Sequence, residues 1–325
     1  YAKWTINNTY YLTVAAGAGI ASVTGSTDPV TLGSTYEIKA TPKTGYTFST
    51  WTANPAENAT FGSATTANTT VTVKNGSVTV TASATEIMST LTTSNKYDAG
   101  DPGYEVPAAS VNLIGYETTA TITATTDDDY TLTSWTLTNC TRTDGGADNA
   151  TTITVRSNGD GKAATVTANY TAKTLVRLYY SNTNNWSKIN AYLWKDGSGS
   201  DNNTWPGTEI TNNVEVIDCE KYYYYEYYKE DHPDWNRIIF NNGSNQTSDI
   251  TFSNSTNNGQ FYINDVWVAS PGPKWTLAGT MNEWNTDLNP LICSDATSGY
   301  VELQLTANTD YEFKFVDKHN NNWYG

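Results

Sequence analysis

The chain has 325 residues and a formal net charge of -15, and its 18 Lys and Arg are scattered, so it offers no basic footprint for nucleic acid or an anionic membrane surface. Eleven Trp and 23 Tyr stand against seven Phe and two Met, a balance rich in rings that carry a polar handle and suit binding surfaces. Charged residues are only 16%, while Thr, Asn, Ser and Gly abound in β-alternating runs, which is the texture of an extracellular all-β protein with a neutral partner.

No run approaches the roughly 18 apolar residues of a membrane span. No signal peptide is visible, so a secretion signal is expected to have been removed or to lie upstream. Cys140, Cys219 and Cys293 fall in three different modules as divided below, so no disulfide is expected within a module, and the redox compartment is not readable. With only His232 and His319 available there is no Cys/His zinc spacing, and no metal or other cofactor is expected.

From the N-terminus, the first feature is a repeat. GYTFSTW at 45–51 returns as DYTLTSW at 129–135, TVTVKN at 70–75 as TITVRS at 152–157, and TVTASAT at 79–85 as TVTANYT at 165–171, a period of about 84 residues. Each unit, 1–87 and 88–172, reads as a small β-rich domain with Trp51 and Trp135 at equivalent core or half-core positions. The first unit resembles bacterial repeats related to the internalin B-repeats through Leu-Thr-Val, Gly-Tyr-x-Phe-x-x-Trp and Thr-Val-x-Ala between residues 12 and 84. The second departs from that pattern in its opening STLTTSNKYDAGDPG. The resemblance implies a spacer or stalk.

A third segment, 173–270, begins with strand-like runs at 174–180 and 188–194 and ends within the linker ASPGP at 269–273. Alternation along the second run puts Tyr192 and Trp194 on one face and Ala191 and Leu193 on the other, the natural core face. Trp205 follows across a polar loop; it either folds back to complete an aromatic platform with a gap for a sugar chain or serves as a buried anchor before Pro206. Aromatic planes cover the C–H face of a sugar while amides reach its hydroxyls, and Asn241, Asn242, Asn245 and Gln246 offer such amides nearby. In KYYYYEYYKE at 221–230, alternation separates Tyr222, Tyr224 and Tyr228 from Tyr223, Tyr225 and Tyr227, and the run is read as structural. Trp186 and Trp235 are read as packing residues.

The motifs AYLW, WPGT and IFNNG-x-x-QT-x-D in this order resemble starch-binding modules of carbohydrate-binding family 26, over about 174–268. The resemblance implies an antiparallel β-sandwich that binds α-1,4-glucans through Tyr192, Trp194 and Trp205, with polar contacts from Gln246 and Asn242. That family often has Tyr where Trp194 stands, which preserves stacking. The last segment, 271–325, resembles starch-binding modules of the family 20 and 48 type through LAGTMNEWN, YEFKFVD and NNWYG. That resemblance implies a second glucan site at Trp284, Lys314 and Trp323. The segment is short for an independent sandwich and is expected to lack a closing strand.

The expectation is therefore a modular all-β, non-catalytic monomer, bacterial and extracellular or on the cell surface. It would bind starch and maltooligosaccharides, either as a separate protein or as the accessory region of an amylase. The rival is a surface adhesin for another glycan or a protein. An enzyme is disfavoured because a glycosidase needs facing carboxylates on a catalytic scaffold, and every stretch is already assigned to a small module.

Overall fold

The structure is a computed structural model describing residues 9–100, 102–197 and 204–325. Strands hold 50% of the described residues and helices 2%, so the fold is all-β. It divides into two compact units, Tyr1–Ala172 and Lys173–Gly325. Among the described residues, no helix is long and apolar enough to cross a membrane.

The first unit contains the same eight-strand pattern twice. The first copy runs β1 (Tyr10–Ala16), β2 (Ile20–Thr24), β3 (Thr27–Val30), β4 (Thr35–Pro42), β5 (Tyr46–Asn54), β6 (Ala59–Phe61), β7 (Asn68–Val73) and β8 (Val78–Glu86). The second runs β9 (Ser89–Tyr97), β10 (Ala108–Ala109), β11 (Leu113–Ile114), β12 (Thr119–Thr123), β13 (Tyr130–Thr138), β14 (Cys140–Arg142), β15 (Thr152–Ser157) and β16 (Ala164–Ala172). One sheet has the order β3-β1-β8-β5, repeated as β11-β9-β16-β13; the other has the order β2-β4-β7-β6, repeated as β10-β12-β15-β14. In both copies the first and last strands are parallel neighbours.

The repeated Trp explains why the pattern recurs. Trp51 is 2% exposed and its indole N–H donates to the Thr66 carbonyl, fifteen residues on; Trp135 donates to Ala150, also fifteen residues on. Each ring closes one core by packing and one long loop by a hydrogen bond. Trp51 joins a cluster with Leu12, Ile38, Val71 and Val80, whereas Trp135 is only half-buried. The single free cysteine among the described residues, Cys140, is buried in the second copy, and burial raises its thiol pKa.

The second unit begins with a sandwich. Its strands are β17 (Leu175–Ser181), β18 (Asn190–Trp194), β19 (Thr208–Glu209), β20 (Val214–Ile217), β21 (Glu220–Tyr228), β22 (Arg237–Asn241), β23 (Ile250–Thr251), β24 (Phe261–Ile263) and β25 (Val266–Val268). They form a five-stranded sheet, β20-β21-β17-β24-β25, and a four-stranded sheet, β19-β18-β22-β23. Val176, Leu178 and Tyr180 of one sheet meet Ala191, Leu193, Ile238 and Phe240 of the other in a single core. Trp235 is buried there and Trp186 packs against it, as packing residues should.

The tyrosine run uses both of its faces. Tyr223, Tyr225 and Tyr227 pack on the sandwich core, while Tyr222 and Tyr224 join Tyr179 and Phe261 on the opposite side of the sheet. Arg177 lies 4.3 Å from the centre of the Tyr224 ring and donates to Glu226, so the second face is sealed by a charged lid.

The chain ends in a three-stranded sheet of β26 (Trp275–Gly279), β29 (Phe313–Asp317) and β30 (Asn322–Tyr324), with a small pair, β27 (Ile292–Cys293) and β28 (Gly299–Tyr300). Cys219, between β20 and β21, forms a disulfide with Cys293. The bond therefore joins two segments that composition had separated. Beside it, Glu220 accepts from His319 at 2.9 Å, from Lys274 at 3.4 Å and from the Tyr222 hydroxyl at 3.0 Å.

Candidate functional site

The site is built on the outer face of the four-stranded sheet. β18 and β22 pair antiparallel, with Asn190 opposite Asn241, Tyr192 opposite Ile239 and Trp194 opposite Arg237. Ala191 and Leu193, at 0% exposure, point into the core, so the period-two rule sends Tyr192 and Trp194 outward. Ile239, the cross-strand partner of Tyr192 and so on the same face, is 6% exposed.

Trp205 reaches the same face. It sits in a turn closed by the Gly207 amide donating to the Thr204 carbonyl at 2.7 Å, and its ring is 46% exposed. The buried-anchor alternative is thereby excluded. The turn lies close on β18: a Cβ at Gly207, whose φ is +92°, would stand 2.1 Å from the Ala191 carbonyl oxygen and 2.7 Å from the Tyr192 Cα. Only glycine tolerates both the left-handed backbone and that approach.

The three rings are contiguous. Tyr192 and Trp194 have centroids 5.4 Å apart with planes inclined by 33°; Tyr192 and Trp205 are also 5.4 Å apart, inclined by 68°. The surface is angled rather than flat. Residues 198–203, expected to leave space for a sugar chain, lie outside the described residues.

The charges flanking the rings are paired: Arg237 with Asp196 at 2.6 Å, Lys195 with Asp234 at 2.7 Å, and Lys188 with Glu209 at 3.2 Å. Arg237 also donates to the Thr251 hydroxyl. Such a locally neutral surface suits an uncharged ligand.

The amides divide into two kinds. Gln246 is exposed, and its backbone bridges to Asn241 at the end of β22. Asn242 accepts at its side-chain oxygen from the Ser244 amide at 2.9 Å and the Asn245 amide at 2.7 Å, which shapes the turn. Asn241 corrects the sequence reading. It is 0% exposed and cannot reach a sugar; its Nδ2 donates to the Pro206 carbonyl at 2.9 Å, and its Oδ1 accepts from Gly243 at 2.9 Å and from Asn190 Nδ2 at 3.3 Å. A buried amide must find such partners, because leaving them unmade costs about 1–3 kcal/mol.

In the terminal sheet, Trp284 and Trp323 come within 6.3 Å, with planes inclined by 42° and exposures of 38% and 43%. Lys314 is diagonal to Trp323 on the same sheet face, because Val316 is the cross-strand partner of Trp323. Behind Trp284 lies another buried amide: Asn282 accepts from the Gly279 amide at 2.8 Å and donates to Leu277, Asn285 and Asn289.

Residues 10–87 and 103–174 match the family described as the divergent InlB B-repeat domain, and residues 178–252 match starch-binding module 26. No curated protein and no solved structure matches the chain significantly. The second match contains the whole ring surface, Gln246 and Asn242. The chain thus carries the architecture of two divergent InlB B-repeat domains followed by a starch-binding module of family 26.

Proposed function

We propose that the chain is a non-catalytic α-glucan-binding protein in which Tyr192, Trp194 and Trp205 stack on successive sugar faces while Gln246 and Asn242 bond their hydroxyls. The observation that carries this reading is the inclination of the rings, by 33° and 68° about Tyr192. Consecutive units of an α-1,4-glucan turn relative to one another, so their apolar faces meet inclined planes; a flat β-1,4-glucan asks for coplanar ones. The match to starch-binding module 26 points to the same ligand class. Each stacked ring contributes on the order of 1–2 kcal/mol, so a single site binds weakly, with Kd about micromolar at best.

Four modules serve this purpose: repeat units 1–87 and 88–172 as a spacer, a glucan-binding module at 173–270, and a second one at 271–325 using Trp284, Lys314 and Trp323. Two weak sites on one monomer raise avidity for a polymer without new contacts. A bacterial, extracellular or surface setting agrees with the composition and with the disulfide, which persists in oxidising compartments.

Retention on insoluble starch against cellulose tests the reading. Starch is expected to retain the chain and cellulose to pass it, and Tyr192→Ala together with Trp205→Ala is expected to abolish binding of maltoheptaose at this module. Retention on cellulose alone would favour the adhesin reading, and release of reducing sugar from starch would contradict a purely binding role.

A further inference from the structure

We propose that Asn241 is the positioning residue of the ring surface, setting the place of Trp205 without touching the ligand; the inference rests on the glucan-binding reading above. Among the described residues, Trp205 has one ring neighbour, Tyr192, and is nearly half-exposed, so neighbouring rings leave its direction to the backbone that carries it. That backbone is held on the sheet at the next residue, where the Pro206 carbonyl accepts from Asn241 Nδ2.

The same amide faces three elements at once. Through its oxygen it holds Asn190 of β18, the strand bearing Tyr192 and Trp194, and Gly243 of the turn bearing Asn242; through its nitrogen it holds the turn bearing Trp205. An amide is suited to this because it donates and accepts in one plane, which neither a hydroxyl nor a carboxylate does. Complete burial makes each bond matter, since no water replaces a lost partner. The arrangement recurs in the terminal segment, where buried Asn282 holds Gly279 and Leu277 while the Trp284 amide donates to Gly279, so an exposed indole again stands on a turn fixed by a buried asparagine. Rigid placement lowers the ordering cost of binding.

Asn241→Asp in the full chain isolates the effect, because it keeps the acceptors for Asn190 and Gly243 and deletes the donor to Pro206. Titration calorimetry with maltoheptaose at about pH 8 is expected to show roughly tenfold weaker binding. The same substitution in a Trp205→Ala background is expected to lose nothing further, because the ring it positions is gone. Additive losses, or unchanged affinity in the single variant, would overturn the proposal. Protonation gives the introduced carboxyl an O–H donor, so the affinity is expected to recover as pH falls toward about 5. Because protonation also relieves the burial cost of the carboxylate, the variant's thermal unfolding is followed at both pH values, and weak binding at about pH 8 by a fully folded variant separates positioning from loss of folding. If the buried carboxyl prevents folding, Asn241→Ala taken through the same cycle, below its melting midpoint, separates coupled from additive losses in the same way. Unchanged affinity in Trp205→Ala alone would sink the platform reading itself, an outcome distinct from additivity.

Discussion

The Trp205 ring stands 5.4 Å from that of Tyr192 and is turned from it by 68°, although Trp205 follows Tyr192 by thirteen positions in the chain. That relationship exists because Gly207 lets the returning chain lie on the backbone of Ala191 and Tyr192. Gly207→Ala is therefore expected to lift the turn, costing about 1–3 kcal/mol of module stability and at least about tenfold in maltoheptaose affinity. Calorimetry on the folded variant checks this; unchanged affinity would mean that the turn's approach is irrelevant to the site.

The pH dependence of the second unit should centre on His319 and Glu220. Both ring nitrogens of His319 face acceptors, the Glu220 carboxylate and the Pro271 carbonyl, a geometry that favours the protonated imidazole. The hydrogen bond to Glu220 raises its pKa above the ordinary 6.5, against the opposing effect of burial. The bond from His319, opposed by burial and helped by Lys274 and Tyr222, pulls Glu220 down to about 2. The raised histidine stabilises fully below the unfolded value near 6.5, and its contribution is lost as pH rises through the folded pKa. The depressed carboxylate stabilises above about 4.5, and its contribution is lost as pH falls toward about 2. Thermal unfolding of this unit is thus expected to be most resistant between about pH 4.5 and 6.5, and His319→Gln to flatten the alkaline limb. A variant with the parent's alkaline limb would contradict this assignment.

The disulfide makes a separable prediction. Cys219 and Cys293 are 74 residues apart, and closing a loop of that size stabilises by about 4 kcal/mol in the chain-entropy account. Cys219→Ser with Cys293→Ser is expected to lower the unfolding midpoint of the second unit while leaving maltoheptaose affinity at Tyr192 within about twofold, because neither sulfur belongs to the ring surface. Loss of that affinity in the folded variant would show that the cross-link shapes the site.

The repeats offer an internal comparison. Trp51 is fully buried and Trp135 half-buried, so Trp51→Ala is expected to cost about 3–5 kcal/mol and Trp135→Ala distinctly less. Denaturant midpoints of the two variants measure the difference, and equal costs would contradict it.

What is legible in the sequence is what period and recurrence carry. The repeat shows because Trp51 and Trp135 each close a loop of the same length, and the outward direction of Tyr192 and Trp194 follows from alternation around Leu193. Asn241 is hidden because FNNG has the composition of an exposed loop; its burial depends on where the Trp205 turn lands, thirty-five residues away. The cross-linked cysteines are hidden for a like reason, since pairing is decided by how β27 packs beside the β20–β21 turn. Alternation separates the two faces of the tyrosine run, but only the charged lid of Arg177 and Glu226 tells why both are filled.

The parallel pairing of first and last strands in each repeat has a mechanical consequence. β1 aligns with β8 from Leu12–Val78 to Ala16–Ala82, and β9 with β16 from Leu91–Ala164 to Tyr97–Tyr170. A pull along the chain enters a repeat at the start of one strand and leaves at the far end of its parallel neighbour. The ladder between them is then loaded in shear, all its hydrogen bonds together, instead of being peeled one by one. In the spacer role proposed above, such units would resist traction along the chain.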